Sequence, residues 1–132
     1  MKLSEGYIEI EGLVKSIEKS SIPTVVIIQI DCGDVKIKMD LVRKLLVFDE
    51  GDKVKVVISK SRPDYREGED FVAWGYVMSK KKERKVINGM RKDIYKLLIS
   101  LWGYLVVLES ESDELLNAFN YMDKVYMKIS KE

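Results

Sequence analysis

Apolar residues recur along this chain mostly at every second position, the period of a strand with one buried and one wet face. Ile8 and Ile10 alternate with Glu9 and Glu11; Val35, Ile37 and Met39 with Lys36, Lys38 and Asp40; Val54, Val56 and Ile58 with Lys53, Lys55 and Val57. After Gly12 the apolar phase shifts to Leu13 and Ile17, and a glycine at a phase change predicts a β-bulge or a sharp bend. Residues 25–30 and 71–78 are apolar on both faces, and the first run is too β-branched to prefer a helix. Further strands are expected over residues 94–101, over 104–108, and around Val125, Met127 and Ile129.

Turn chemistry separates these runs. Residues 19–23 and 31–34 read as turns, and residues 61–70, with Pro63 and Gly68, as a loop. Asn88-Gly89 is the strongest hairpin signal, because both residues tolerate positive φ. Trp102-Gly103 marks another tight turn. Leu41, Leu45 and Phe48 recur at helical spacing and predict a short helix or helical turn over 41–48. Ser110 to Asp113 resembles a capping box before Leu115, Leu116 and Phe119, which predicts a helix over 112–119. About eight strands with one or two short helices make an all-β chain, an antiparallel barrel or sandwich. No internal repeat, low-complexity tract or linker stands out, and 132 residues suit one domain over 1–132.

Composition then narrows the function classes. There is no histidine, which removes the commonest general base, the Ser-His-Asp triad and every His-containing zinc site. The one cysteine, Cys32, excludes an internal disulfide and reads as a structural thiol in a reducing, cytoplasmic setting. No stretch approaches a membrane span, and the first residues lack the apolar run of a signal peptide. No phosphate-binding, dinucleotide or nucleophile-elbow motif is present, so neither a cofactor nor a small-molecule substrate is expected. The carboxylates Glu67, Glu69 and Asp70, and Glu109, Glu111, Asp113 and Glu114, read as a solvated loop and an acidic helical first turn rather than a magnesium site.

The net charge is only +1, but it is uneven. Residues 80–96 carry eight bases (Lys80, Lys81, Lys82, Arg84, Lys85, Arg91, Lys92 and Lys96) against Glu83 and Asp93, a local excess of six. The aromatic run with Phe71, Trp74 and Tyr76 lies just before it, and Trp102 and Tyr104 flank Gly103. In an OB-type barrel, exposed aromatics beside cations can stack nucleobases. Pattern alone favours protein-facing or structural roles for these aromatics, and leaves an interior and an interface position for Trp74 about even. The basic hairpin around Asn88-Gly89, with Val86, Ile87 and Met90 at its tip, is expected to project toward an acidic partner surface or a nucleic-acid backbone.

Four blocks in order resemble the archaeal RNA polymerase subunit eight, also called the G subunit, a relative of the shared eukaryotic subunit eight. They are residues 53–65, KVKVVISKSRPDY; residues 70–77, DFVAWGYV; residues 99–106, ISLWGYLV; and residues 122–126, MDKVY. The eukaryotic form carries a long insertion where this chain has only the short loop 62–70, so contacts of that insertion do not transfer. The resemblance implies an eight-stranded antiparallel barrel of OB-fold type. It also implies a non-catalytic, peripheral seat in a DNA-directed RNA polymerase, supporting assembly and stability. The largest subunit, which holds the catalytic magnesium and its aspartates, would be the main partner, with the assembly-platform subunit nearby. Trp74 and Tyr104 are the candidate interface residues, and nucleic acid is a secondary partner. The alternative is a stand-alone single-strand-binding module of OB type.

One Gln and three Asn beside 23 Lys+Arg and 22 Asp+Glu resemble a hyperthermophile's composition. The expected melting midpoint therefore lies above the ~45–65 °C of mesophilic domains. Calorimetry of the isolated chain checks this; a midpoint inside that range would remove the inference.

Overall fold

A computed structural model describes residues 1–132. Nine strands form one antiparallel sheet: β1 (Lys2–Ser4), β2 (Tyr7–Lys19), β3 (Val25–Asp31), β4 (Val35–Val42), β5 (Lys53–Ser59), β6 (Phe71–Ile87), β7 (Met90–Leu101), β8 (Tyr104–Ser110) and β9 (Lys124–Lys131). Eight of them follow the cyclic order β2-β3-β4-β8-β7-β6-β9-β5, and pairing of β5 with β2 closes the barrel. β1 is added outside, on β2. The alternation anticipated most of this: inward-facing Val, Ile, Leu and Met side chains build one core cluster of 28 buried residues.

Closure depends on two long strands that each change partner midway. β2 pairs with β5 through Tyr7–Leu13 and with β3 from Leu13 onward. β6 pairs with β9 through Phe71–Tyr76 and with β7 from Gly75 onward. A glycine stands at each exchange. A Cβ on Gly12 would lie 2.5 Å from Cys32 Sγ and 2.8 Å from the Asp31 carbonyl oxygen. A Cβ on Gly75 would overlap the Ser100 carbonyl outright. Three residues on, each strand bulges: Lys15 is the extra residue in β2 and Met78 in β6. The phase change at Gly12 is thus a crowded strand exchange, with the bulge itself slightly later.

The backbone groups around each bulge are satisfied by a turn of the same design. Gly51 N–H donates to the Val14 carbonyl at 2.8 Å and Val14 N–H to the Asp52 carbonyl at 2.9 Å. At the other bulge, Met122 N–H donates to the Val77 carbonyl at 2.9 Å and Val77 N–H to the Asp123 carbonyl at 3.0 Å. Asp52 Oδ2 accepts from Asp49 N–H and Asp123 Oδ2 from Asn120 N–H, both at 2.8 Å. The two segments are FDEGDKV (48–54) and FNYMDKV (119–125), each led by a buried phenylalanine. Exchanging β2–β5 with β6–β9 leaves the cyclic strand order unchanged. The chain therefore does contain a repeat, contrary to the reading from sequence, and the barrel is two matching halves.

The first expected helical segment is a single 3₁₀ turn and the second helix is shorter than expected. β4 continues through Leu41 and Val42, a 3₁₀ turn occupies Arg43–Leu45, and Phe48 reaches the core from extended backbone. Leu41 and Phe48 are buried while Leu45 points out, so their spacing is not one helical face. The second helix, α1, spans only Glu114–Asn117. Its capping box does not form: Ser110 Oγ instead accepts from Ser112 N–H at 3.1 Å. The Ala118 carbonyl is taken by Gly6 N–H at 2.7 Å, which ties this end of the helix to the β1–β2 turn. The buried positions of that run, Leu115 and Phe119, are as expected.

Gly75→Ala should destabilise the isolated chain by about 3 kcal/mol or more, since neither backbone can move without breaking a ladder. Gly89→Ala, at φ 77° in open space, should cost only about 1–2 kcal/mol. Urea unfolding of both variants checks the contrast; equal losses would show that the crossing at Gly75 is not tight.

Candidate interaction surface

β6 sorts its side chains strictly by face. Phe71, Ala73, Gly75 and Val77 turn inward, while Trp74, Tyr76 and Met78 are exposed. Trp74 is 41% exposed, so the interior alternative for it is excluded. Its ring meets Tyr76 edge-on, with centroids 6.1 Å apart and planes at 83°. Across the ladder, Trp74 stands directly opposite Tyr126 of β9, and Tyr76 opposite Lys124. The Lys124 ammonium lies 4.7 Å from the Trp74 ring centroid and 5.5 Å from that of Tyr126, a cation held over two aromatic faces.

Trp102 completes this face from the β7–β8 turn, where Trp102 and Gly103 have φ 51° and 88°. With Trp74, Lys124 and Tyr126, and with Tyr65 and Arg62 from the loop after β5, Trp102 lines a groove of about 440 Å³ whose wall also includes Glu67 and Asp70. The structure thus gathers Trp74, Trp102, Tyr126 and Lys124. Tyr104 does not line the groove; it is half-buried in the last β7–β8 pair, opposite Leu101. Tyr126 and Lys124 were not singled out from sequence. The alternation around Val125, Met127 and Ile129 does put Tyr126 on the outer face, but only the β6–β9 pairing brings it to Trp74.

The loop at the rim is stapled by Asp70, whose side chain is only 1% exposed. Its Oδ2 accepts from Arg66 N–H at 2.8 Å and its Oδ1 lies 3.3 Å from the Arg66 guanidinium. Lys128 Nζ donates to the Asp64 carbonyl at 2.7 Å. Burial alone would raise the Asp70 pKa, but the Arg66 N–H, the guanidinium and the Ser130 hydroxyl outweigh it and hold the carboxyl below its ordinary value. The other carboxylates in the two acidic clusters are dispersed. Glu109 and Glu111 hold Lys85 and Lys92, each at 3.0 Å. No three acidic or cysteine side chains are grouped to hold a metal ion. Burial, chiefly, and the nearby Asp31 push the Cys32 thiol up to about 11, so it stays protonated at neutral pH.

The basic residues fall on the β6–β7 hairpin, joined by a two-residue turn with Asn88 at φ 52° and Gly89 at φ 77°. Much of the charge is paired. Lys82 and Arg84 share Asp93, at 3.6 and 3.3 Å, and Lys96 meets Glu83 at 3.0 Å. Lys80 lies 5.6 Å from the Tyr121 ring centroid. Lys81 and Arg91 are exposed.

The chain is thus an antiparallel barrel with a buried core and an exposed, aromatic-lined face. Its sequence matches, over residues 7–132, the family model that describes the G subunit of DNA-directed RNA polymerase. It is 32% identical over 120 residues to the DNA-directed RNA polymerase subunit Rpo8 of Saccharolobus solfataricus, covering 89% of this chain and 88% of that one. It is 34% identical over 122 residues to the subunit Rpo8 of Sulfolobus acidocaldarius, covering 90% and 93%. The chain belongs to this family of DNA-directed RNA polymerase subunits, the Rpo8 subunits of archaea.

Because the folded-state pKa of Asp70 is depressed, its stabilisation is present above the unfolded pKa and is lost as pH falls through the folded one. The loop should therefore stay closed from neutral pH down to the ordinary Asp value of 3.8 and open only in stronger acid. Asp70→Ala should open it at all pH values, at a cost of about 1.5–3 kcal/mol for the charge-assisted bonds. Amide exchange at Arg66 and Asp70 measures both; protection unchanged in the variant would show that the carboxylate does not hold the loop.

Proposed function

We propose that this chain is a non-catalytic, peripheral subunit that docks on the largest subunit of the polymerase and supports assembly and stability of the transcribing enzyme in the cytoplasm. The observation that carries the docking reading is the Trp74–Tyr126 pair. At the matching place in the other half of the barrel the same ladder position holds Glu11 opposite Lys55, two charged side chains of opposite sign. Replacing that pair with two large aromatics gains nothing from water, and favours a partner that covers them. Trp and Tyr are also the side chains that dominate interface energetics in a standard contact of about 1,600 Å². The non-catalytic part of the reading is supported by the chemistry of the groove, whose Asp70 is tied to Arg66 and whose remaining carboxylate, Glu67, belongs to no cluster of three that could hold a metal ion.

The mechanism is then area burial on a preformed barrel face, with no ordering of the chain required on binding. Lys124, held above two rings, is an exposed cation whose position is already fixed, so a carboxylate or carbonyl of the partner can meet it there.

Trp74→Ala should weaken binding to the isolated largest subunit about 10- to 100-fold, as expected for an aromatic anchor. The free chain should lose less than about 1 kcal/mol, well short of the ~3–5 kcal/mol of a buried tryptophan. Pull-down and urea unfolding give the two numbers. Undiminished binding by the variant, or capture of a different subunit in place of the largest, would overturn the docking reading. Salt-sensitive uptake of single-stranded oligonucleotide that disappears in the same variant would favour base stacking in the groove instead.

A further inference from the structure

The β6–β7 ribbon carries a second feature that the aromatic face does not use. β6 pairs with β9 only as far as Tyr76, and β7 meets β8 only from Tyr95. From the Glu83–Ile94 pair outward, the ribbon is therefore two-stranded; Ile94 is still buried and Lys85 and Lys92 still reach Glu109 and Glu111, so only the pairs beyond Lys85–Lys92 form the exposed tip. Residues directly opposite share a face. At the tip, Val86 faces with Arg91 on one side, while Ile87 and Met90 sit together on the other. Val86 is 68% exposed, Met90 64% and Ile87 36%. The tip is thus apolar on both sides of the ribbon, the shape of a knob rather than of a patch.

The charges behind the knob have a definite pattern. Lys82, Arg84, Lys85, Lys92 and Lys96 are tied to Asp93, Glu109, Glu111 and Glu83. Those carboxylates occupy the cations nearest the barrel, which leaves fewer of them free for a phosphate backbone laid against the ribbon. Lys81 and Arg91 are exposed and form no ion pair with these carboxylates; Arg91 stands beside the tip.

We propose that the tip formed by Val86, Ile87 and Met90 inserts into an apolar socket with an acidic rim on a neighbouring protein subunit of the polymerase, with Arg91 and Lys81 meeting the rim. A socket contacts both faces of the ribbon, which is where the apolar side chains are, and a carboxylate rim complements the two cations left unengaged. Trp74 lies twelve positions from Val86, roughly 40 Å along an extended strand. The knob is therefore a separate contact and does not rest on the docking reading for Trp74. Two separate contacts on one rigid chain act in concert, so loss of either should speed release of the subunit.

The test uses assembled polymerase. A photoreactive residue at Val86 or Met90 should cross-link to a protein subunit, at a segment rich in Leu, Val or Phe with Asp or Glu beside it. Cross-linking only to nucleic acid, or no cross-linking, would overturn the proposal. Separately, Val86→Ser, Ile87→Ser and Met90→Ser together should speed exchange of a labelled subunit out of the polymerase about tenfold, equally at low and high salt. Lys81→Glu with Arg91→Glu should slow association severalfold at low salt and little at high salt. Circular dichroism on each free chain confirms folding. Wild-type exchange in a folded triple variant would overturn the knob, even if Trp74→Ala still weakened docking.

Discussion

The constraint on which this barrel rests is the passage of one backbone across another with no room for a side chain. At Gly75 the Ser100 carbonyl occupies the place where a Cβ would be, and at Gly12 the Asp31 carbonyl and the Cys32 sulfur nearly do. These are the points at which a single strand leaves one neighbour and takes up another. Only because β2 and β6 can each serve two partners does a chain of short antiparallel strands close on itself. Closure removes the sheet edges that would otherwise invite aggregation. The bulges three residues later, at Lys15 and Met78, add the twist that the exchange requires.

The same device appears twice, and the comparison between its two uses separates scaffold from function. Glycine, bulge, and a turn that returns its backbone groups to the bulge are shared. The outer decorations are not. Where one half shows Glu11 opposite Lys55, the other shows Trp74 opposite Tyr126. The β2–β3 connection returns promptly from Lys19 to Val25, whereas β6–β7 runs on as a ribbon to Ile87 and Met90. Both features with interaction chemistry therefore sit in the second half, as departures from a symmetry that stability alone would leave intact.

Legibility in the sequence followed physical range. The strands were legible because burial on one face imposes alternation locally, as in Val35, Ile37 and Met39. The tip of the long hairpin was legible because Asn88-Gly89 encodes its own geometry. The repeat escaped notice because its shared side chains serve backbone groups over only a few positions, Phe48 with Asp52 and Phe119 with Asp123, while the strands between them diverged. The expected short helix or helical turn over 41–48 is reduced to the 3₁₀ turn Arg43–Leu45, because Leu41 is buried as part of β4 and Phe48 reaches the core from extended backbone, so the apolar positions share no helical face. Trp74's orientation was undecidable from a run apolar on both faces, and its meeting with Tyr126, fifty-two positions on, depends on a long-range pairing that no local signal encodes.

The charge of the hairpin shows why composition overstated one feature. Counted along the chain, residues 80–96 form the most basic segment. In three dimensions, β7 brings Asp93 beside Lys82 and Arg84, and β8 and the turn after it bring Glu109 and Glu111 to Lys85 and Lys92. Such exposed pairs contribute little to stability, each at most about 1 kcal/mol. Their larger effect is on the field: a cation within about 3–4 Å of a carboxylate presents a dipole at longer range, and ions in solution screen what remains beyond ~8–10 Å. A long-range pull on polyanions is thereby weakened, and what is left to discriminate between partners is contact. Contact is where the ribbon is distinctive, because its apolar side chains lie at the end that reaches furthest from the barrel.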